Sequence, residues 1–529
     1  MSAFSRTRRA SCLFLLCTLA ACSTAPQKSV PEYAPEKMLP PVSQTFTNAN
    51  ISPELLLNRL TWGSNFSAYQ QMQSVGMDRY LDLQLRNRAA VVPQAVQAQI
   101  NAMTISQKPL DQLIPELEAR RIAADKQKGT DDTLRKEYQQ QLNQLAREAA
   151  SRSLLRNIYS PYQLQEQMTW FWMNHFNIHS GKHNLRAMVG DFEDTAIRPY
   201  ALGYFRDLLR ATIVHPAMLR YLDNEYNAVN HINENYAREL MELHTMGVGS
   251  GYTQKDVQEL ARILTGLAVN MGYDKPKLRP EQVHFYARRG LFEFNPQRHD
   301  FGDKVLLGHQ IKGRGLGEID EVIDILTRQP ATASFVSKKL AQYFVSDDPS
   351  PELIKKMSAS FLQSDGNIPV VLRTMFDSPE FLASLGKKFK DPMHYVLSSV
   401  RLAYDGNTIV NCGPMLNWLN MMGEGLNAHL TPDGYPLTEN AWASPGQMNT
   451  RFDIARSIAY GAPGLFKADI KADNQTSTDK PPAPALATSM FAKSLSKQFS
   501  KETQAALQQA KNTGEWNVFF LSSPDMMRR

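Results

Sequence analysis

The chain has 529 residues, 43% of them hydrophobic, and a formal net charge of +6 at neutral pH. So mild a surplus, with no Lys/Arg block, argues against nucleic acid as a partner. Its length allows one large or two moderate domains with a substantial core, and past the N-terminus no apolar run is long enough to span a bilayer.

The first segment reads as an export signal. Arg6, Arg8 and Arg9 form a positive start without acidic residues, and Cys12 to Ala21 is a short apolar run. It ends in Leu19-Ala20-Ala21-Cys22, which resembles the lipobox of bacterial lipoproteins. The expectation is a leader over residues 1–21, cleavage before Cys22, and lipid on that thiol as the link to a membrane. Ser23 after the cysteine, where aspartate would retain the protein at the inner membrane, favours the outer membrane of a Gram-negative cell, facing periplasm or surface. Cleavage removes three positive charges along with Cys12 and Cys17, and acylation occupies Cys22. Only Cys412 is then left, so no intramolecular disulfide can form. Residues 22–50 carry Pro26, Pro31, Pro35, Pro40 and Pro41 and few large apolar side chains, the composition of an extended tether.

From residue 51 the pattern is mainly α. Ser52-Pro53-Glu54 reads as an N-cap, a proline at the first helical position and an acidic first turn, and Trp62-Gly63 stops that helix. Helical spacing returns after Gly76, from Thr133 to Ile158, and after Ser160-Pro161, where Trp170, Phe171, Trp172 and Phe176 cluster. It continues over 198–220 and 233–247. Thr253 with Asp256 approaches a capping box, and Gly266 is the expected C′ residue. Periodicity fails between Leu267 and Gly317, a length that is functional or carries short strands. Helices resume over 318–385 and 392–404. The expected organisation is a helical domain over 51–465, a mobile polar loop over 466–500, and a C-terminal helix with an end motif over 501–529 packing back on it.

Several segments together resemble one known group. Leu57-Asn58-Arg59-Leu60-Thr61-Trp62-Gly63, Trp172-Met173-Asn174-His175-Phe176 and the run from Asn233 to Gly247 carry the likeness. So do Tyr252-Thr253, Leu264-Thr265-Gly266, His299-Asp300, Lys339-Leu340, Gly434-Tyr435-Pro436 and Ser522-Ser523-Pro524. The group is the bacterial secreted family catalogued as domain of unknown function eighteen hundred, and the likeness runs from about residue 52 onward. It implies an extracytoplasmic, mainly helical protein. It also implies a candidate partner, a second secreted family that resembles the sulfatase/phosphatase superfamily. The lipobox, the proline-rich tether and the Gln-rich helix near 134–150 depart from the usual pattern.

Chemistry-bearing residues concentrate in the same segments. On a helix over 231–247, Tyr236, Leu240 and Leu243 share one stripe, while His231, Asn235, Glu239 and Glu242 share another. The second stripe is acceptor-rich, as a divalent cation or a proton-transfer site requires. The same residues also suit a solvated, ion-paired face, with Arg238 reaching Glu234 and Glu242. His244 lies off that face. His175 and His179 have the four-residue spacing of a shared metal, yet His175 among aromatics equally suits a hydrogen-bonded core histidine. His299-Asp300 stands in the irregular segment, where binding groups are over-represented. The catalytic candidates are therefore Glu239, Glu242, His299 and Asp300, and the candidate ligands of a divalent metal are His175, Glu239, Glu242 and His244. Gly313-Arg314-Gly315-Leu316-Gly317 lacks the strand and the lysine of a phosphate loop and reads as a turn. No nucleophile elbow, zincin or EF-hand motif is present, and nothing near Cys412 would activate it. Two functions remain open: a partner or scaffold lipoprotein of the envelope, and a metal- or acid/base-dependent hydrolase.

Overall fold

A computed structural model describes residues 43–49, 51–86, 91–127, 132–467 and 482–529. The expected leader, Cys22 and the tether up to residue 42 lie outside the described residues. The body is mainly α-helical, with two small antiparallel sheets. None of the described helices is long and apolar enough to cross a membrane.

The expected tether ends earlier than its composition suggests. Thr45–Ala49 is a short helix with Phe46 fully buried, and the Asp78 carboxylate accepts from the amides of Phe46 and Thr47, both at 3.0 Å. One aromatic ring and one capping carboxylate suffice to dock this turn, signals that a proline count does not see.

Local signals set the helix starts. Pro53–Leu60 begins at Ser52, whose hydroxyl accepts from Leu55 N. Gln254–Ile263 begins with a reciprocal capping box between Thr253 and Asp256. The centre of the body is the Gln163–His175 helix, in which every side chain is buried. A helix buried all round has to satisfy its own polar residues internally. Gln163 accepts from Trp62 N at 3.1 Å and donates to the carbonyls of Asn157 (2.9 Å) and Ser160 (2.8 Å). Glu166 pairs with Arg198, which also reaches Glu193 at 2.6 Å. Pro392–Ala403 is likewise buried along its whole length and packs near the same core.

The irregular segment after Leu267 carries the strands. Leu267–Val269 and Ala287–Arg289 flank Phe292–Phe294, with Leu267 opposite Phe294 and Arg289 opposite Phe292. Lys304–Leu306 and His309–Ile311 form a tight hairpin. Its turn, Leu307-Gly308, has φ of +50° and +82°, the doubly positive geometry that matches strand twist. Asp256 of the capping box accepts from Leu307 N at 2.8 Å, so one carboxylate serves both a helix start and a hairpin turn.

The stretch expected as a polar loop is part of the body over much of its described length. Met490–Ser496 is a helix whose Phe491, Ala492 and Leu495 are buried, preceded by the buried Leu486. Four apolar side chains among serines and lysines are enough to seat it, while residues 468–481 lie outside the described residues. Lys501–Gln508 and Thr513–Ser522 follow.

Arg198 is the test of how the core helix is held. Replacing it by methionine strands the buried Glu166 and leaves Glu193 only Arg156, at 3.7 Å, so Arg198→Met is expected to lower the unfolding free energy by roughly 3–5 kcal/mol in urea titrations. A loss under about 1 kcal/mol would mean that the triad is dispensable.

Candidate functional site

The run 233–247 is built into the body at its start. Asn227 donates to Ala261 O at 2.8 Å and accepts from Asn233 N at 2.9 Å, and the Asn233 side chain accepts from Asn235 N at 3.0 Å. After one α-turn, Asn235–Glu239, the helix widens into a π-turn over Leu240–Thr245. Such turns are rare and frequent at functional sites. Here the wider turn brings His244 and Thr245 fully into the core, while Leu243, expected on the buried stripe, is left half-buried.

His175, at the end of the core helix, meets this turn. Its Nε2 lies 3.0 Å from the carbonyl oxygen of His244. A carbonyl only accepts, so Nε2 carries the proton and Nδ1 presents a lone pair. The two imidazole centroids are 6.2 Å apart, in a shell that includes Trp172, Phe176 and Phe205. Burial drives both imidazoles well below the ordinary histidine range, His244 to about 3, and the nearby Lys339 ammonium pushes in the same direction. Both are neutral. His175 Nδ1, both nitrogens of His244 and the Tyr236 hydroxyl are buried with no hydrogen-bond partner among the described residues.

Outside this floor lies a half-buried polar face. Burial raises the Glu239 carboxyl, Glu242 and Asp433 add to the rise, and Arg238 opposes it. Arg238 reaches Glu234 at 3.2 Å and Glu242 at 3.7 Å, the two i,i+4 pairs that the spacing predicts. Lys339, on the Pro330–Phe344 helix, has its ammonium 5.5 Å from the Phe335 ring centre and no carboxylate within ion-pair distance among the described residues. Burial lowers it to about 8 against the pull of Asp433. Asp433 sits on a loop held by the core helix's end: Asn174 exchanges hydrogen bonds with Tyr435 (2.9 and 2.6 Å), and Asn177 donates to Thr431 O at 2.7 Å. Gly434 is obligatory there, because its φ is +76° and a Cβ would stand 2.1 Å from Asn174 O. Thus the segments 174–177, 236–244, 339 and 433–435 come together around one face.

The other candidates belong elsewhere. His299 Nδ1 faces Thr265 O at 2.8 Å and Nε2 faces Glu318 Oε1 at 2.9 Å, both side chains being completely buried. Glu318 also accepts from Lys304 (2.7 Å) and from the amides of Arg314 and Gly315 (2.8 and 2.9 Å). The glycine-rich run therefore wraps a carboxylate. Asp300 is paired with Arg262 at 2.7 Å. Among the described residues no hydrogen bond or ion pair joins His299 or Asp300 to Glu239 or Glu242, so the expected four-residue catalytic set is not assembled. Adjacent residues in a loop point apart, and each has found its own partner.

The metal set needs the same correction. Among the described residues no three His, Cys, Asp or Glu side chains are grouped to hold a metal ion. His175 and His244 meet in the buried floor, whereas Glu239 and Glu242 stand on the half-buried face. Cys412 is buried, and burial pushes its thiol up to about 12, which removes it as a nucleophile.

The sequence that carries these segments matches a family. The chain belongs to the family described as protein of unknown function DUF1800, which matches residues 55–528. No curated protein and no solved structure matches it. The DUF1800 match spans both the His175–His244 floor and the Glu318 cluster. Lys339 and Asp433 are site residues that spacing does not reveal, since each stands alone in its segment. The only signal for them is that Lys339 falls within, and Asp433 next to, a stretch that carries the family likeness.

The Glu318 cluster makes a pH prediction. Burial pushes this carboxyl up, but hydrogen bonds from His299 and Lys304 outweigh it, so Glu318 is held below the usual carboxylate range. A depressed carboxyl stabilises the fold above its unfolded-state value, and the gain is lost as pH falls through the folded value. Unfolding free energy should therefore drop on acidification below about pH 4. Glu318→Gln should be less stable at pH 7 and show a shallower acid slope; an unchanged slope would show that Glu318 contributes nothing to it.

Proposed function

We propose that this chain is an exported lipoprotein of the bacterial envelope, anchored through Cys22, whose helical body serves there as a partner or scaffold protein. The positive start, short apolar run and lipobox-like Leu19-Ala20-Ala21-Cys22 support the anchor, and Ser23 supports the outer membrane. The observation that carries the partner reading is the commitment of His299 and Asp300 to the buried Glu318 and to Arg262. It withdraws the base from the acidic face of the 235–245 helix. The family likeness supplies a candidate partner, a secreted protein resembling the sulfatase/phosphatase superfamily. With a palmitate analogue as label, the wild-type chain is expected to take up lipid and sediment with membranes, and Cys22→Ser to lose both. Label or membrane retention in that variant would refute the anchor.

A second reading, acid–base catalysis on an extracytoplasmic substrate, is favoured by one observation. On the half-buried face Glu239 is raised and Lys339 lowered toward neutrality, the opposed shifts that acid–base pairs show. Complementation of a deletion strain separates the two readings. Glu239→Gln and Lys339→Met, made at wild-type level and thermal stability, are expected to restore the phenotype if the body is a scaffold. Loss in both variants would instead establish the catalytic reading.

A further inference from the structure

Lys339 differs from the other inward lysines in what its amine touches. It stands half-buried on the Pro330–Phe344 helix, one turn after Phe335. Among the described residues the amine makes no hydrogen bond or ion pair, and it rests over the Phe335 ring, 5.5 Å from the centre. The closed lysines are all engaged: Lys304 by Glu318 at 2.7 Å, Lys388 by Asp347, and Lys390 by the Ser398 hydroxyl at 3.1 Å. The floor beneath Lys339 supplies no counter-charge, since His175 and His244 are neutral. Asp433 pulls on it only from beyond ion-pair distance. Gly247 closes on the far side of the same ring, where a Cβ would stand 2.9 Å from Phe335 Cδ2, and the next residue, Val248, is 75% exposed. An amine in partly apolar surroundings without a paired carboxylate loses its proton readily and becomes a nucleophile.

The neighbours decide between holding an anion and attacking an electrophile. A bound anion needs the ammonium, which burial disfavours, and it would meet the carboxylates of Glu242 and Asp433 on the same face. A neutral electrophile meets neither obstacle. We propose that Lys339 is the nucleophile of this face and takes a carbonyl compound, an aldehyde or a ketone, as an imine. The amine nitrogen attacks the carbonyl carbon, and the C=O double bond opens to give a carbinolamine. The C–O bond then breaks as the nitrogen lone pair forms C=N. Both amine hydrogens leave with the oxygen as one water molecule, so no oxidant or reductant enters. Glu239, whose carboxyl is raised by burial, is the acid of this face for the proton that the departing hydroxyl takes. This role rests on the acid–base reading of the face and gives it a substrate class.

The test is reductive trapping on the full chain in a non-ionic detergent at about pH 7.5. Glyceraldehyde and butanal are the probes, and cyanoborohydride supplies the hydride that fixes an imine as a secondary amine. Site-resolved mass spectrometry compares Lys339 with Lys338, its exposed neighbour. Lys339 is expected to label about tenfold faster or more, since its free-amine fraction at that pH exceeds an ordinary lysine's by about a hundredfold and lower basicity takes back part of the gain. Its labelling should level off around pH 8, where that of Lys338 is still rising. Glu239→Gln should slow trapping at Lys339 about tenfold and leave Lys338 as it was. Equal labelling of the two lysines, or a Lys339 profile that still rises at about pH 10, would overturn the assignment, and neither result depends on a variant folding. Unslowed trapping in Glu239→Gln would overturn Glu239 as the acid. The outcome is separable from complementation. Trapping at Lys339 with the phenotype restored by Lys339→Met keeps the nucleophile and ends the catalytic reading, whereas a lost phenotype without trapping ends the carbonyl assignment alone.

Discussion

The body closes on the guanidinium of Arg59. From a fully buried position on the first long helix, it donates to the carbonyls of Phe344, Val345, Ser384 and Arg529 and to the Ser384 hydroxyl. Phe344 and Ser384 are the last residues of the Pro330–Phe344 and Pro379–Ser384 helices. The last carbonyls of a helix lack internal partners and together carry a partial negative charge. Here two helix ends supply acceptors that a carboxylate would otherwise provide. The device recurs: Arg529 donates to Tyr343 O at 2.7 Å, and Arg401 donates to the carbonyls of Asn157 and Ile158 at the end of the longest helix. Burial lowers Arg59 and takes Arg401 down to about 10. Among the described residues Cys412 is a free thiol, and arginine-to-carbonyl bonds join distant helices without a disulfide.

The same economy separates the two histidine sites. His175 also caps a helix end, through the His244 carbonyl, and in doing so turns an unprotonated nitrogen into a closed aromatic shell. His299 has an oxygen acceptor against each ring nitrogen and lies inside a cluster that includes an ion pair of Lys304 with Glu318. One histidine is left with unspent bonding capacity and the other is not. That contrast sets the 236–244 turn apart from the 299–318 loop, although both lie within the family match.

Much of the fold was legible because it is local. Ser52, Thr253 and the prolines at first helical positions mark helix starts by interactions within three residues of themselves, and the Leu267–Gly317 gap does hold the strands. What escaped is what distance or a single residue of register decides. The π-turn leaves no mark in a hydrophobic stripe, since Tyr236, Leu240 and either Leu243 or His244 satisfy it equally; only the packed neighbours choose. Reading His299 with Asp300 relied on adjacency, whereas the true partner, Glu318, comes from a separate helix. Nothing local marks Arg59 as a hub, because its acceptors are backbone groups far along the chain. Phe46 and Phe491 show the same limit on a smaller scale, as one or two rings turned an expected linker into part of the body.

The bond between Arg59 and the Arg529 carbonyl joins residues 470 positions apart. A contact that closes so large a loop forms late. Helices held by their own caps can be complete while this one seam is not, and a factor that guards the protein against aggregation would have to cover that seam.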